Sequence, residues 1–133
     1  MTDANRRANI ASELVRADES MRAARVLVDA GLLHDAESRL YYAVYHAAVA
    51  VLLTEGIEPR SHVGAASLLG LHFVKTGRMG AEDARLFARI QKYRLEADYG
   101  RDFVLTTEGL REDLDSCQGF LDRARGIIAS SLQ

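Results

Sequence analysis

The chain has 133 residues, enough for a single domain (residues 1–133) whose core needs neither disulfide bonds nor metal. Its net charge of −2 excludes a general electrostatic attraction to nucleic acid, so such binding would need a local basic patch. The single cysteine, Cys117, excludes an internal disulfide and indicates a reducing, cytoplasmic location. We find no secretion signal and no apolar run of about 18 residues, and therefore expect no membrane span.

Helix-breaking residues divide the chain into five helical segments, and no segment alternates as a strand would. The first segment, residues 5–30, ends at Gly31, a residue suited to helix termination. The fourth covers residues 81–99, and the fifth covers 108–132 with Thr107 as its N-cap. The apolar residues of these three segments recur at helical spacing and are expected to face the core: Ile10, Leu14, Ala17, Met21, Ala24, Val28, Leu86, Ile90, Tyr93, Ala97, Leu110, Leu114, Cys117, Leu121, Ala124 and Ile128.

The second segment, residues 34–55, is apolar on more than one face and must therefore be covered on every side. Because a domain this small has few helices to surround another, we expect part of the segment to face a second copy in a homodimer. The third segment, residues 61–76, is shorter, and its inward residues are expected to be Val63, Ala66, Leu69 and Phe73. The sequence predicts an all-α fold, an antiparallel up-and-down four-helix bundle with an additional short helix.

Two polar residues in the second segment, Arg39 and His46, are the first candidates for chemistry. They are seven residues apart, so both point the same way, about 10 Å apart along the helix axis, with Tyr42 one turn from each. In a cleft, histidine could remove the proton of an RNA 2′-hydroxyl while arginine holds the phosphate. Alternatively, Arg39 pairs with a carboxylate of a neighbouring helix and His46 is a core histidine with its hydrogen bonds satisfied.

A second set of candidates lies in the fourth segment. Arg94 and Asp98 are spaced to pair on the helix surface, whereas Asp98 or Glu96 could instead be the buried partner of Arg39. Tyr93 and Tyr99 could stack on a base. A basic stripe at helical spacing could follow phosphates or be a solvated helix face; it consists of Arg85, Arg89 and Lys92.

Four histidines raise the question of a metal site, but none has the spacing of a known metal motif. No phosphate-binding glycine loop or nucleophile-elbow serine is present in the sequence. We therefore expect no metal and no cofactor.

Three sequence stretches together resemble the HEPN superfamily, in particular its small stand-alone prokaryotic branch. They are Ser38-Arg-Leu-Tyr-Tyr-Ala-Val-Tyr-His-Ala-Ala48, His62 within Pro-Arg-Ser-His, and Arg94-Leu-Glu-Ala-Asp-Tyr99. The resemblance spans nearly the whole chain, and it implies a helical bundle that is usually a homodimer.

The resemblance also implies a function. Many HEPN proteins are metal-independent endoribonucleases that use an arginine, four to six intervening residues and a histidine, which Arg39 and His46 match with six. Several are toxins, often with a small nucleotidyltransferase as antitoxin. Others are non-catalytic and bind a nucleotide, RNA or a protein. On this basis Arg39 and His46 would be catalytic, and the RNA- or nucleotide-binding set would be Tyr42, Arg85, Arg89, Lys92 and Arg94. The supporting residues would be His62, Asp98 and Tyr99.

Overall fold

The structure is a computed structural model that describes residues 2–100 and 104–132, without the side chain of Tyr99. Every regular element of the described residues is helical, which confirms the predicted all-α helical bundle. The helices are α1 (Asp3–Asp29), α2 (Leu33–Leu53), α3 (His62–Leu69), α4 (Ala81–Tyr99) and α5 (Thr107–Ser131), and a π-helical turn, Gly70–Val74, extends α3.

Side-chain caps fix where three of the helices begin. The hydroxyls of Thr2, Ser61 and Thr106 accept backbone N–H groups at the starts of α1, α3 and α5. The N-cap of α5 is therefore Thr106, and the prediction of Thr107 was wrong by one residue. Gly31 adopts a φ of 78° immediately after α1, a conformation that side-chain-bearing residues rarely adopt, and this confirms the predicted stop.

Helix α2 is the central element of the fold. It packs against α1 most extensively and also against α3, α4 and α5. Most of its apolar residues, including Leu40, Tyr41 and Val44, are buried within the one chain. Tyr45 is only half-buried, so the neighbouring helices leave part of α2 uncovered. Contact of this part with a second copy, and with it the homodimer, stays a prediction.

The apolar stripes predicted for α1 and α5 form one core with α2. All of these predicted positions are buried except Leu14, which is half-buried. Of the positions predicted for α4, Leu86 and Ile90 are buried, and Tyr93 and Ala97 are half-buried. Val63 was assigned to the wrong face of α3 and is 66% exposed. The inward face of this helix instead follows Ala65, Leu69 and Phe73, since four-residue spacing keeps them on one side. None of the helices in the described residues is long and apolar enough to cross a membrane.

Asp83 fixes the start of α4, and its loss is expected to destabilise the fold. The side chain is fully buried, its Oδ2 accepts the backbone N–H of Gly80 at 3.2 Å, and its Oδ1 accepts Nε of Arg123 at 2.8 Å. Asp83→Ala should lower the free energy of unfolding by about 2 kcal/mol, because the cap is lost while Arg123 stays solvated. Urea denaturation would measure the change.

The neighbouring Glu82→Ala variant is the matched control. Glu82 is an exposed carboxylate in the same helical turn. Its removal should change the unfolding free energy by less than about 0.5 kcal/mol. Equal losses in the two variants would contradict a capping role for Asp83.

Candidate functional site

One stripe of α2 escapes full burial. Arg39, Tyr42, Tyr45 and His46 are half-buried, whereas the residues around them on the helix are buried. His62 of α3 and Arg94 of α4 contact the same stripe through Tyr42. We call the set Arg39, Tyr42, His46, His62 and Arg94 the Arg–His cluster.

Arg39 lies over the ring of Tyr42, with its Cζ 4.8 Å from the ring centroid. Neither predicted carboxylate partner is beside it: Asp98 lies 3.9 Å from Arg94, and Glu96 lies 3.9 Å from Lys92. Of the two alternatives for Asp98, the structure therefore shows the pairing with Arg94 and not the one with Arg39, and Glu96 does not pair with Arg39 either. Within the described part of the chain no carboxylate pairs with this guanidinium, so its N–H donors are available to an anion.

His46 has one ring nitrogen bound, and the other has no hydrogen-bond partner among residues 2–100 and 104–132. Its Nδ1 lies 2.7 Å from Oε2 of Glu13 in α1, and its side chain is 16% exposed, so the ring is not sealed in the core. Because a carboxylate only accepts hydrogen bonds, Nδ1 donates, and the neutral ring then carries its lone pair on Nε2. Sequence reasoning missed Glu13, which lies 33 residues from His46 and in a helix with several other carboxylates.

His62 is held flat against Tyr45, with ring centroids 4.2 Å apart and planes 6° apart. The buried hydroxyl of Tyr41 shares a hydrogen bond of 2.7 Å with its Nδ1. Burial raises the pKa of Tyr41 to about 12, so that this hydroxyl keeps its proton. Burial, then Arg94 and His46, lower the pKa of His62 and favour its neutral form. His62 is thus held in place as a neutral ring beside Tyr41 and Tyr45.

Arg94 brings a second cation to Tyr42. Its Cζ lies 4.9 Å from the ring centroid of Tyr41 and 5.3 Å from that of Tyr42, and Nη2 is 3.4 Å from the Tyr42 hydroxyl. Asp98 is its only carboxylate neighbour among the described residues, at 3.9 Å. The two arginines therefore approach one aromatic ring from different helices, and each guanidinium is a group that can bind a phosphate.

The other predicted binding residues lie elsewhere. Arg85 and Arg89 line a cleft between α4 and α5 together with Arg123, and Arg89 donates to Asp113 at 2.8 Å. Lys92 is largely exposed and faces Glu96. The predicted stripe is therefore not part of the Arg–His cluster. Tyr99 lies outside the described side chains.

Metal binding has no obvious location in the part of the chain that the structure describes. No three histidine, cysteine or carboxylate side chains there are grouped so that they could hold an ion. The side chains of the Arg–His cluster are those of arginine, histidine and tyrosine. Together with the all-helical fold, they define a helical domain with a polar, cationic site on its central helix.

Comparison with known proteins gives the family. The HEPN domain family matches residues 12–131. A Methanocaldococcus jannaschii protein named "Putative toxin MJ0605" is 33% identical over 116 residues, which are 87% of this chain and 86% of that protein. A Thermotoga maritima UPF0332 protein is 31% identical over 113 residues, 85% of this chain and 86% of the relative. A Gloeobacter violaceus UPF0332 protein is 39% identical over 85 residues, which are 64% of this chain and 68% of that relative. The chain belongs to the HEPN domain family.

Proposed function

We propose that this HEPN protein is a metal-independent endoribonuclease and the toxin of a toxin–antitoxin pair. The observation that carries the proposal is the presence, on the half-buried stripe of α2, of an arginine and a histidine with unused hydrogen-bonding groups: among the residues that the structure describes, Arg39 has no carboxylate partner and Nε2 of His46 has no hydrogen bond. Arg39 would hold the phosphate, and His46 would act as the general acid and base.

The reaction that fits these groups is transfer of the phosphodiester to the neighbouring 2′-hydroxyl. Nε2 of His46 takes the proton of that hydroxyl, and the 2′-oxygen attacks phosphorus. The bond to the 5′-oxygen then breaks, and that oxygen receives the proton from the imidazolium of His46. The products are a 2′,3′-cyclic phosphate and a 5′-hydroxyl. Negative charge grows on the phosphate oxygens during the attack, where Arg39 and the nearby Arg94 would stabilise it.

The biological setting is inferred from relatives. Two Methanocaldococcus jannaschii relatives carry the word toxin in their names, at 33% and 27% identity. A toxin needs an antitoxin, and the HEPN resemblance implies a small nucleotidyltransferase in that role. The same resemblance implies a homodimer in which two copies of the Arg–His cluster face one RNA.

Incubation of the purified protein with an unstructured synthetic RNA in excess EDTA tests the proposal. We expect cleavage, with products that end in a 2′,3′-cyclic phosphate, because the only reacting groups are those of protein and RNA. An RNA carrying a single ribonucleotide among deoxynucleotides should be cut only beside that ribonucleotide. If RNA or a nucleotide binds but no cleavage occurs at any protein concentration, the result would favour the alternative of a non-catalytic HEPN binding module.

A further inference from the structure

Glu13 differs from the other paired carboxylates of α1. Asp3, Asp18 and Asp29 pair with arginines and are exposed, as is usual for surface ion pairs. Glu13 instead faces a histidine, and its side chain is only 22% exposed beside the 16% of His46. This contact joins α1 to the half-buried stripe of the central helix.

A carboxylate in this position has two effects on the imidazole ring. It accepts the proton on Nδ1 at 2.7 Å, which keeps the lone pair of the neutral ring on Nε2 and fixes the ring plane. It also lies where positive charge appears once Nε2 has taken a proton, and so stabilises the imidazolium form. Both effects favour proton removal by the outer nitrogen of His46.

Neither residue of this pair is sealed in the core. Glu13 lines a cavity of about 370 Å³ whose wall also includes Arg16 and Tyr45, and Tyr45 contacts the His46 ring with centroids 5.4 Å apart. The carboxylate of Glu13 therefore borders open space, while the partly exposed ring of His46 lies beside the wall of the cavity.

We propose that Glu13 is the positioning residue of His46, selecting the tautomer in which Nε2 is the proton acceptor during RNA cleavage. This inference rests on the proposed endoribonuclease function. Glu13 touches neither the phosphate nor the attacking hydroxyl, and it acts only through the ring.

The test compares Glu13→Leu and Glu13→Asp with wild-type protein. Leucine removes the acceptor at similar volume, whereas aspartate keeps a carboxylate. We expect Glu13→Leu to lower kcat for RNA cleavage roughly 100-fold with little change in KM, since misplacement of a reacting group has effects of this size. In ¹⁵N NMR spectra, His46 of this variant should show the tautomer protonated on Nε2. Glu13→Asp should restore part of kcat and of the wild-type spectrum.

Asp18→Leu is the matched control, since Asp18 is another α1 carboxylate that pairs with an arginine, Arg125, rather than with a histidine. It should leave both the His46 spectrum and kcat unchanged. If Glu13→Leu cleaves RNA at the wild-type rate, whether or not the His46 tautomer changes, the role of Glu13 is overturned while the proposed endoribonuclease function stands. No cleavage by the wild-type protein would overturn the proposed function and with it this role.

Discussion

Replacing His46 with glutamine is expected to lower the rate of RNA cleavage by about 1,000-fold, within the range attributed to general acid–base catalysis. Glutamine is similar in size and its amide can still donate to Glu13, but it cannot exchange a proton near neutral pH. The loss should appear in kcat rather than in KM, because the proposed phosphate ligands Arg39 and Arg94 are unchanged. Initial rates measured in EDTA over a range of RNA concentrations would separate the two parameters.

His72→Gln provides the control for this variant, since His72 is exposed on the π-helical turn. It should cleave RNA at the wild-type rate. Thermal unfolding would show that the His46 variant is folded, as expected for a residue whose side chain is partly exposed. Wild-type cleavage by His46→Gln would refute His46 as the proton-transfer group. The RNA cleavage by both variants would then have to depend on another side chain.

The second large effect concerns stability and comes from Glu37. This residue of α2 is fully buried, and its two carboxylate oxygens have no hydrogen-bond partner in the described part of the chain. Burial, and then the charge of Asp113, raise its pKa from 4.5 to about 8, against a smaller opposing effect of Arg89. Glu37 is therefore largely protonated at neutral pH while the protein is folded.

A raised pKa in the folded state makes stability decrease as pH increases. Below pH 4.5 Glu37 is protonated in both states; between 4.5 and about 8 only the folded protein keeps the proton. Over that interval the free energy of unfolding should fall by about 1.4 kcal/mol per pH unit, on the order of 5 kcal/mol in total from this residue. Above that range both states are ionised and the contribution becomes constant.

Glu37→Gln should remove this dependence on pH. The variant and the wild type, compared by urea denaturation at pH 5, 7 and 9, should diverge in favour of the variant as pH rises. Glu108→Gln, at an exposed carboxylate in the first turn of α5, should leave the wild-type dependence intact. Parallel curves for wild type and Glu37→Gln would show that Glu37 does not keep its proton in the folded state.

The fold could be predicted from sequence because its signals are local. Apolar spacing within α1 and α5, the break at Gly31 and the shared face of Arg39 and His46 all depend on residues within one or two helical turns. Packing around α2 could not be predicted in this way, since it depends on how four other helices approach it. The short α3 offered too few residues to fix its inward face, which is why Val63 was misassigned.

The candidate site, like the fold, could be predicted where its signals lie within one helix. The spacing of Arg39 and His46 gave their common direction, and Arg94 was among the proposed binding residues. Their partners could not be read from the chain, because Glu13 reaches His46 across 33 residues and Tyr41 reaches His62 across 21. For Asp98 the sequence left two partners open, Arg94 by helical spacing and Arg39 by chemical need, and in the structure Asp98 lies beside Arg94.

The aromatic surroundings of His46 also have an optical consequence. The chain contains no tryptophan and five tyrosines, so its near-ultraviolet absorbance and intrinsic emission come mainly from tyrosine. Three of the five, Tyr41, Tyr42 and Tyr45, lie within 6.2 Å, centroid to centroid, of a histidine ring. Most of the tyrosines therefore surround the proposed RNA site, which makes tyrosine emission a dye-free signal with which to test for occupancy there.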